Sequence, residues 1–404
     1  MNTAILISSC NTLNDTNKKA RLIILVSVSA AYSLAIIASW LQPKLIAELI
    51  GSYGLDEVTA GSVATAEMAA LAFTSMICAR VFSRISYLRI ICYGVLLLVI
   101  GNVISLNIES YPALVSIRII SGAGAGMLLM ASTAAIANFD DSDRAYGQIN
   151  TVSILSGIAA FGVASIIASL VDSAVTFSII LFFVIVLTPF ALLMPKDEGI
   201  SLSKNSGIPA ERKRISFDIM LITTGVFISC CVLASAWAFY FVLGERAGFS
   251  PDQIHGILAY TILFALFGSL IASVIGHRYG RFKPLVLSLI LMTVSIMSLC
   301  LSSDADVYRI FTGLNLMGLY LFVPYFLGYA SAFDPSGRGP AIVAGAYMLA
   351  PAVGPYMGGM VFSLFGVELL AWLTLGVNLV SLLLFLCVNY RQNKLSMIHC
   401  SINR

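Results

Sequence analysis

Two ionisable side chains stand out by where they lie. Glu67 sits in VATAEMAALAF and Arg118 in ALVSIRIISGAGAGM, each flanked on both sides by apolar residues. A charge in the hydrocarbon of a bilayer costs about 2.5–3.5 kcal/mol on insertion scales, so such groups face protein or water rather than lipid. Two uses fit them: a buried ion pair that fixes helix packing, or a site for a proton or a polar substrate group. Aromatic residues recur at helical spacing, Trp237 with Tyr240 and Tyr325 with Tyr329, joined by Tyr32 and Trp40. They read either as core and interfacial belt or as contacts for an organic solute. Other chemistries find no support. The eight cysteines show no C-x-x-C spacing, His255, His277 and His399 are far apart, and there is neither an H-E-x-x-H nor a phosphate-binding G-x-x-x-x-G-K-[ST]. The expectation is no metal, no cofactor and no catalysis, with uphill work drawn from an ion gradient. A net charge of +3 without basic runs interleaved with aromatics argues against nucleic acid.

The elements that must carry these residues are membrane helices. Hydrophobic residues make up 59% of the 404 and charged ones only 11%, more apolar matter than a water-soluble fold can hide. Crossing the hydrocarbon as a helix takes about 20 apolar residues. Twelve stretches qualify, near 22–42, 58–80, 88–106, 112–138, 147–170, 174–194, 217–243, 255–276, 284–302, 309–331, 340–365 and 369–390. Residues 1–21 read as a polar, unordered tail; the first apolar stretch runs on to Trp40, too long for a cleaved signal. With that tail inside, nineteen Lys and Arg fall in cytoplasmic segments. Only Lys44, Arg246 and Arg309 fall outside, and Arg118 lies within a span. The positive-inside rule then puts both termini in the cytoplasm of a multi-pass inner-membrane protein.

The polar stretch 195–216, PKDEGISLSKNSGIPAERKRIS, divides the chain into six-helix halves, 22–194 and 217–390, with a second tail at 391–404. A shift of 194 residues lays Arg84 on Arg278, Arg89 on Lys283, Asp140 on Asp334, Ser142 on Ser336 and Arg144 on Arg338. Six helices separate each pair, so the repeat is parallel, as in two-halved transporters.

Local motifs carry a family resemblance. Gly276-His277-Arg278-Tyr279-Gly280-Arg281-Phe282-Lys283, between helices 8 and 9, is similar to the signature loop of the major facilitator superfamily, an acidic residue followed by R-x-G-R-R. Here His277 replaces the acid, and the first-half copy, Ser83-Arg84-Ile85-Ser86, lacks both acid and glycine. Arg118 followed by Gly122, Gly124 and Gly126 resembles the family's helix-4 motif, whose small residues let a neighbouring helix approach. Gly354-Pro355-Tyr356-Met357-Gly358-Gly359 in helix 11 resembles the G-P-x-x-G-G of proton antiporters, displaced there from helix 5.

The resemblance implies an all-α membrane protein, twelve transmembrane helices in two halves related by a parallel pseudo-repeat. Arg84, Arg278, Gly280, Arg281, Asp140, Arg144, Asp334 and Arg338 would be gating loops, and helices 1, 4, 7 and 10 would line a central cavity. That cavity would be rich in aromatic faces and poor in charge, suited to a neutral or aromatic organic molecule. The function expected is a monomeric secondary transporter whose partners are a small organic solute, protons and the lipid bilayer. Proton-coupled export of a drug or metabolite comes first, with nutrient symport or a non-transporting scaffold as alternatives. Counted from the outer face, Glu67 lies nine residues into helix 2 and Arg118 six into helix 4, depths of roughly 13 and 9 Å. They can meet across about one turn. Hydration, or withdrawal of Arg118 toward a substrate, would then change whether Glu67 holds a proton.

Overall fold

The computed structural model describes residues 2–81, 85–108, 110–136, 142–170, 174–194, 216–275, 278, 280–333 and 338–402, which are helical with no strand among them. The helices are α1 (Asn2–Trp40), α2 (Gln42–Gly51), α3 (Glu57–Val81), α4 (Tyr87–Ser105), α5 (Tyr111–Ile136), α6 (Ser142–Gly162), α7 (Ala164–Ala168) and α8 (Val175–Ala191). Beyond the central loop follow α9 (Phe217–Ala238), α10 (Tyr240–Arg246), α11 (Pro251–Ile275), α12 (Phe282–Leu301), α13 (Ala305–Phe333), α14 (Arg338–Leu349), α15 (Gly354–Phe365) and α16 (Val367–Ile402). Ten helices are long and apolar enough to cross a membrane, α14 and α15 make a bent eleventh, and the seventeen-residue α8 occupies the sixth expected position.

The first tail, expected to be unordered, is helical: α1 starts at Asn2. At the other end α16 runs on to Ile402. Nothing in residues 2–40 is glycine or proline, so nothing there stops a helix already nucleated by its apolar part.

The pseudo-repeat extends to element boundaries. Adding 194 to the ends of α3 gives the ends of α11, and adding it to the start of α5 gives the start of α13. Helix breaks also recur in partners. The first span breaks at Leu41 and the seventh at Phe239; the fifth breaks after Gly162, and the eleventh bends 42° across the 3-10 turn Ala350–Ala352. Pro43 causes the first break, because it has no N–H for the Ser39 carbonyl four residues back. Pro351 and Pro355 act likewise in the eleventh. Broken spans leave backbone groups that must find other partners. Helix starts need partners too: Glu48 Oε2 on α2 accepts the Thr176 N–H at the start of α8 (2.8 Å) and the Thr176 hydroxyl.

Small residues set the helix spacing. A Cβ added at Gly122 or Gly126 would run into the carbonyl oxygens of Glu67 and Leu71 on α3, and one at Gly124 would meet that of Gly94 on α4. The three glycines at i, i+2 and i+4 therefore serve two neighbours. Gly354 faces Ala234 on α9 and Gly358 faces Phe239 at the break that follows it, while Gly359 abuts the Glu57 carbonyl of the other half.

The halves meet at the end away from the chain termini. Gly61 on α3 abuts the Pro355 carbonyl, and the Tyr356 N–H donates to Thr65 Oγ1 at 3.1 Å. Phe161 on α6 packs near His255 on α11, ring centroids 6.5 Å apart. Toward the termini, Gln148 and Asn150 on α6 and Gly345 on α14 are exposed.

Candidate functional site

Glu67 and Arg118 come together. Arg118 Nη1 lies 3.5 Å from Glu67 Oε1, and both side chains are essentially inaccessible (0% and 1% exposed). Neutral groups complete the cluster. Both Arg118 Nη atoms donate to Asn102 Oδ1 on α4 (3.3 and 3.2 Å), and Asn102 Nδ2 donates to Ser121 Oγ (3.3 Å), which donates to Glu67 Oε1 (3.0 Å). The guanidinium lies over the Phe177 ring of α8, 4.8 Å from its centroid. The pair thus sits among α3, α4, α5 and α8, inside the N-terminal half. Glu67 Oε2 and Arg118 Nε have no protein partner there. Glu67 thus keeps one carboxylate oxygen free of protein donors, and Arg118 is held by Asn102 as well as by Glu67. Removing either charge alone strands the other in a dry interior.

The aromatic residues divide into three groups. Trp40, Trp237 and Tyr240 form one cluster across the halves, with centroids 6.2 Å apart for the tryptophans and 5.4 Å for Trp237 and Tyr240. Trp237 Nε1–H donates to the Ser39 carbonyl at 3.0 Å, the very oxygen Pro43 leaves without its helical donor. Trp40 Nε1–H donates to Ser153 Oγ at 3.2 Å and its ring covers Gly157. Beside them Lys44 Nζ lies 5.4 Å from the centre of the Phe241 ring. Tyr32 keeps other company, being half-buried within electrostatic reach of the half-buried Tyr320 and Tyr347 across the halves. Tyr325 and Tyr329 are buried, and Tyr329 packs on Phe333 (5.3 Å), apart from the tryptophans. Sequence reasoning did not single out Asn102, Ser121, Ser39, Ser153, Tyr320 or Tyr347. The signal for Ser39 was Pro43; the neutral hydroxyls and amide carried none.

Of the loop residues, Arg278 and Arg281 are exposed, Gly280 has φ +73°, and Arg281 approaches Gly328 on α13. Left-handed backbone there suits glycine and lets the chain reverse before α12. Arg84, Asp140 and Asp334 lie outside the described residues, as do the side chains of Arg144 and Arg338.

No curated protein matches the chain. Solved structures do. The nucleoside transporter NupG aligns over 91% of this chain and 98% of its own, with 15% identity and a TM-score of 0.64. The D-xylose-proton symporter aligns over 91% and 96%, with 17% identity and a TM-score of 0.68. The human organic anion transporter MFSD10 (TETRAN) aligns over 91% and 99%, with 14% identity and a TM-score of 0.65. These likenesses are of fold. Residues 23–337 match the family model described as Major Facilitator Superfamily, and the chain belongs to that family of membrane transporters.

Proposed function

We propose that the protein is a proton-coupled carrier of a small, uncharged or aromatic organic solute, working in the direction of export, with Glu67 and Arg118 as the coupling unit. The observation that carries the reading is the buried Glu67–Arg118 pair, whose second carboxylate oxygen is unoccupied and whose arginine is held independently by Asn102. Protonation of Glu67 cancels its charge beside Arg118, while Asn102 keeps the guanidinium bonded. The change of charge on Glu67 biases the rocking of the halves.

Tyr32, Tyr320 and Tyr347 are the proposed solute contacts, phenol faces and hydroxyls that suit an uncharged or aromatic solute. The nineteen-to-three split of basic residues places both termini and the Lys204 loop in the cytoplasm of the inner membrane. With that orientation the tryptophan cluster lies toward the outside, where it bridges the halves. That the fold is shared with a nucleoside transporter, a D-xylose-proton symporter and an organic anion transporter supports a small-solute carrier.

Reconstitution tests it. In proteoliposomes with a trapped pH dye, one of uridine, D-xylose or ethidium should move against its gradient when a pH difference is imposed, with counter-directed proton flux. Glu67→Gln should abolish that accumulation and leave exchange. Full pH-driven accumulation by a well-expressed Glu67→Gln variant would reduce the pair to a packing device, and proton flux in the same direction as the solute would make the protein a symporter.

A further inference from the structure

The charged pair has an uncharged twin. Thr261 on α11 and Thr312 on α13 stand 194 residues after Glu67 and Arg118, on the helices whose boundaries follow the same shift. Both are fully buried, and Thr261 Oγ1 donates to Thr312 Oγ1 at 3.1 Å. Thr312 Oγ1 donates onward to the Tyr308 carbonyl at 2.8 Å. The surroundings change in step. Ile296 stands where the first half has Asn102, Ala371 where it has Phe177, and Asn315 where it has Ser121, all buried.

Close helix approach is arranged without charge in both halves. Gly122 and Gly126 meet carbonyls of α3, and Gly268 of α11 meets the Met317 carbonyl of α13. The same cross-bridge is thus closed by two hydroxyls in one half and by an ion pair, with an amide to hold the cation, in the other. Burying two charges costs more than burying two bonded hydroxyls, so packing alone gives no reason for the ionic version.

We propose that the charges of Glu67 and Arg118 are dispensable for holding α3 to α5 and are an insertion for proton handling into a bridge the fold otherwise makes from hydroxyls, with Asn102 as the positioning residue of the cation. The proton-handling part rests on the function proposed above; the packing part does not. The proton enters from water onto the carboxylate of Glu67, at Oε2, which has no partner. Arg118 stays protonated throughout, bonded to Asn102. α4 faces the pair with Asn102, α8 with Phe177 and α5 with Ser121, all uncharged, and Tyr53 in the loop after α2 is the other titratable group within electrostatic reach of Arg118.

The test compares full-length variants in detergent and in proteoliposomes. Glu67→Gln and Arg118→Gln, each alone, should lower the thermal midpoint, because each strands a buried partner. The double variant Glu67→Gln with Arg118→Gln should recover most of that loss, and so should Glu67→Thr with Arg118→Thr, which copies the second half. Both double variants should exchange uridine, D-xylose or ethidium, whichever the wild type carries, without moving protons, whereas Thr261→Val with Thr312→Val should leave proton movement unchanged. Double variants no more stable than the singles would overturn the packing claim, and so would loss of exchange in the doubles alone. Proton flux that survives in them would overturn the insertion claim. If the wild type itself moves no protons, the proposed function fails, yet the comparison of midpoints still decides whether the charges hold the helices.

Discussion

At the scale of single residues the Glu67–Arg118 cluster is tightly determined. Arg118 is enclosed on every named side: Glu67 and Asn102 at its nitrogens, Phe177 over its plane. Arg118→Ala should therefore cost on the order of 3–5 kcal/mol, because a carboxylate is left buried without its partner. Asn102→Leu should cost less, about 1–3 kcal/mol, the penalty for guanidinium N–H groups left unbonded. Thermal or denaturant unfolding in detergent gives both numbers, and equal costs would mean that Asn102 and Glu67 hold the cation alike. The pair was legible in the sequence because charge is rare in apolar runs. Asn102, Ser121 and Phe177 were not, since a neutral amide, a hydroxyl or a ring in such a run is ordinary and only the fold brings them to Arg118. Tyr320 and Tyr347 escaped for a related reason: the spacing of Tyr325 and Tyr329 advertises a helix face, but that face turns into the bundle.

Elements carry the next level of argument. Pro43 opens the first span and frees the Ser39 carbonyl, which the Trp237 indole of the other half takes. Pro43→Ala restores an internal donor for that carbonyl and should loosen the closed end. A cysteine placed at Ser153, beneath Trp40, should then become more reactive to a polar reagent added on the side of the loop at Ser52, and unchanged reactivity would sever the proline from the closure. At the start of α3, Asp56 Oδ1 accepts the Thr59 N–H at 2.7 Å, and hydrogen bonds from Thr59 hold its carboxyl below the usual aspartate range. A lowered folded-state pKa stabilises the ionised form, so this cap contributes above the ordinary value near 3.9 and is lost as pH falls through the lower folded value. Asp56→Ala should cost about 0.5–2 kcal/mol at neutral pH and nothing further in strong acid. Helix positions were legible from hydropathy; the breaks in the first, fifth, seventh and eleventh spans were not, because hydropathy counts apolar residues and ignores where the backbone ladder is interrupted. The N-terminal tail misled for the opposite reason, polar composition masking an uninterrupted helix.

For the whole molecule, the shift of 194 residues links two loops, the ends of α3 and α11 and two cross-bridges, and helix breaks recur in the partner spans. A duplicated half whose contacts with its partner include Gly61–Pro355, Thr65–Tyr356 and Phe161–His255 near one end suits a rocking motion. The central claim is that a proton on Glu67 biases which end is closed. Spin labels test it directly, one pair at Ser52 and Ser303 on the side away from the termini, the other at Gln148 and Ser331 on the termini side, measured by double electron–electron resonance in lipid as pH is lowered. The account predicts that the two distances shift in opposite senses in the wild type and that Glu67→Gln removes the pH response of both. Distances that stay fixed, that change in the same sense, or that respond to pH as strongly in Glu67→Gln would contradict it.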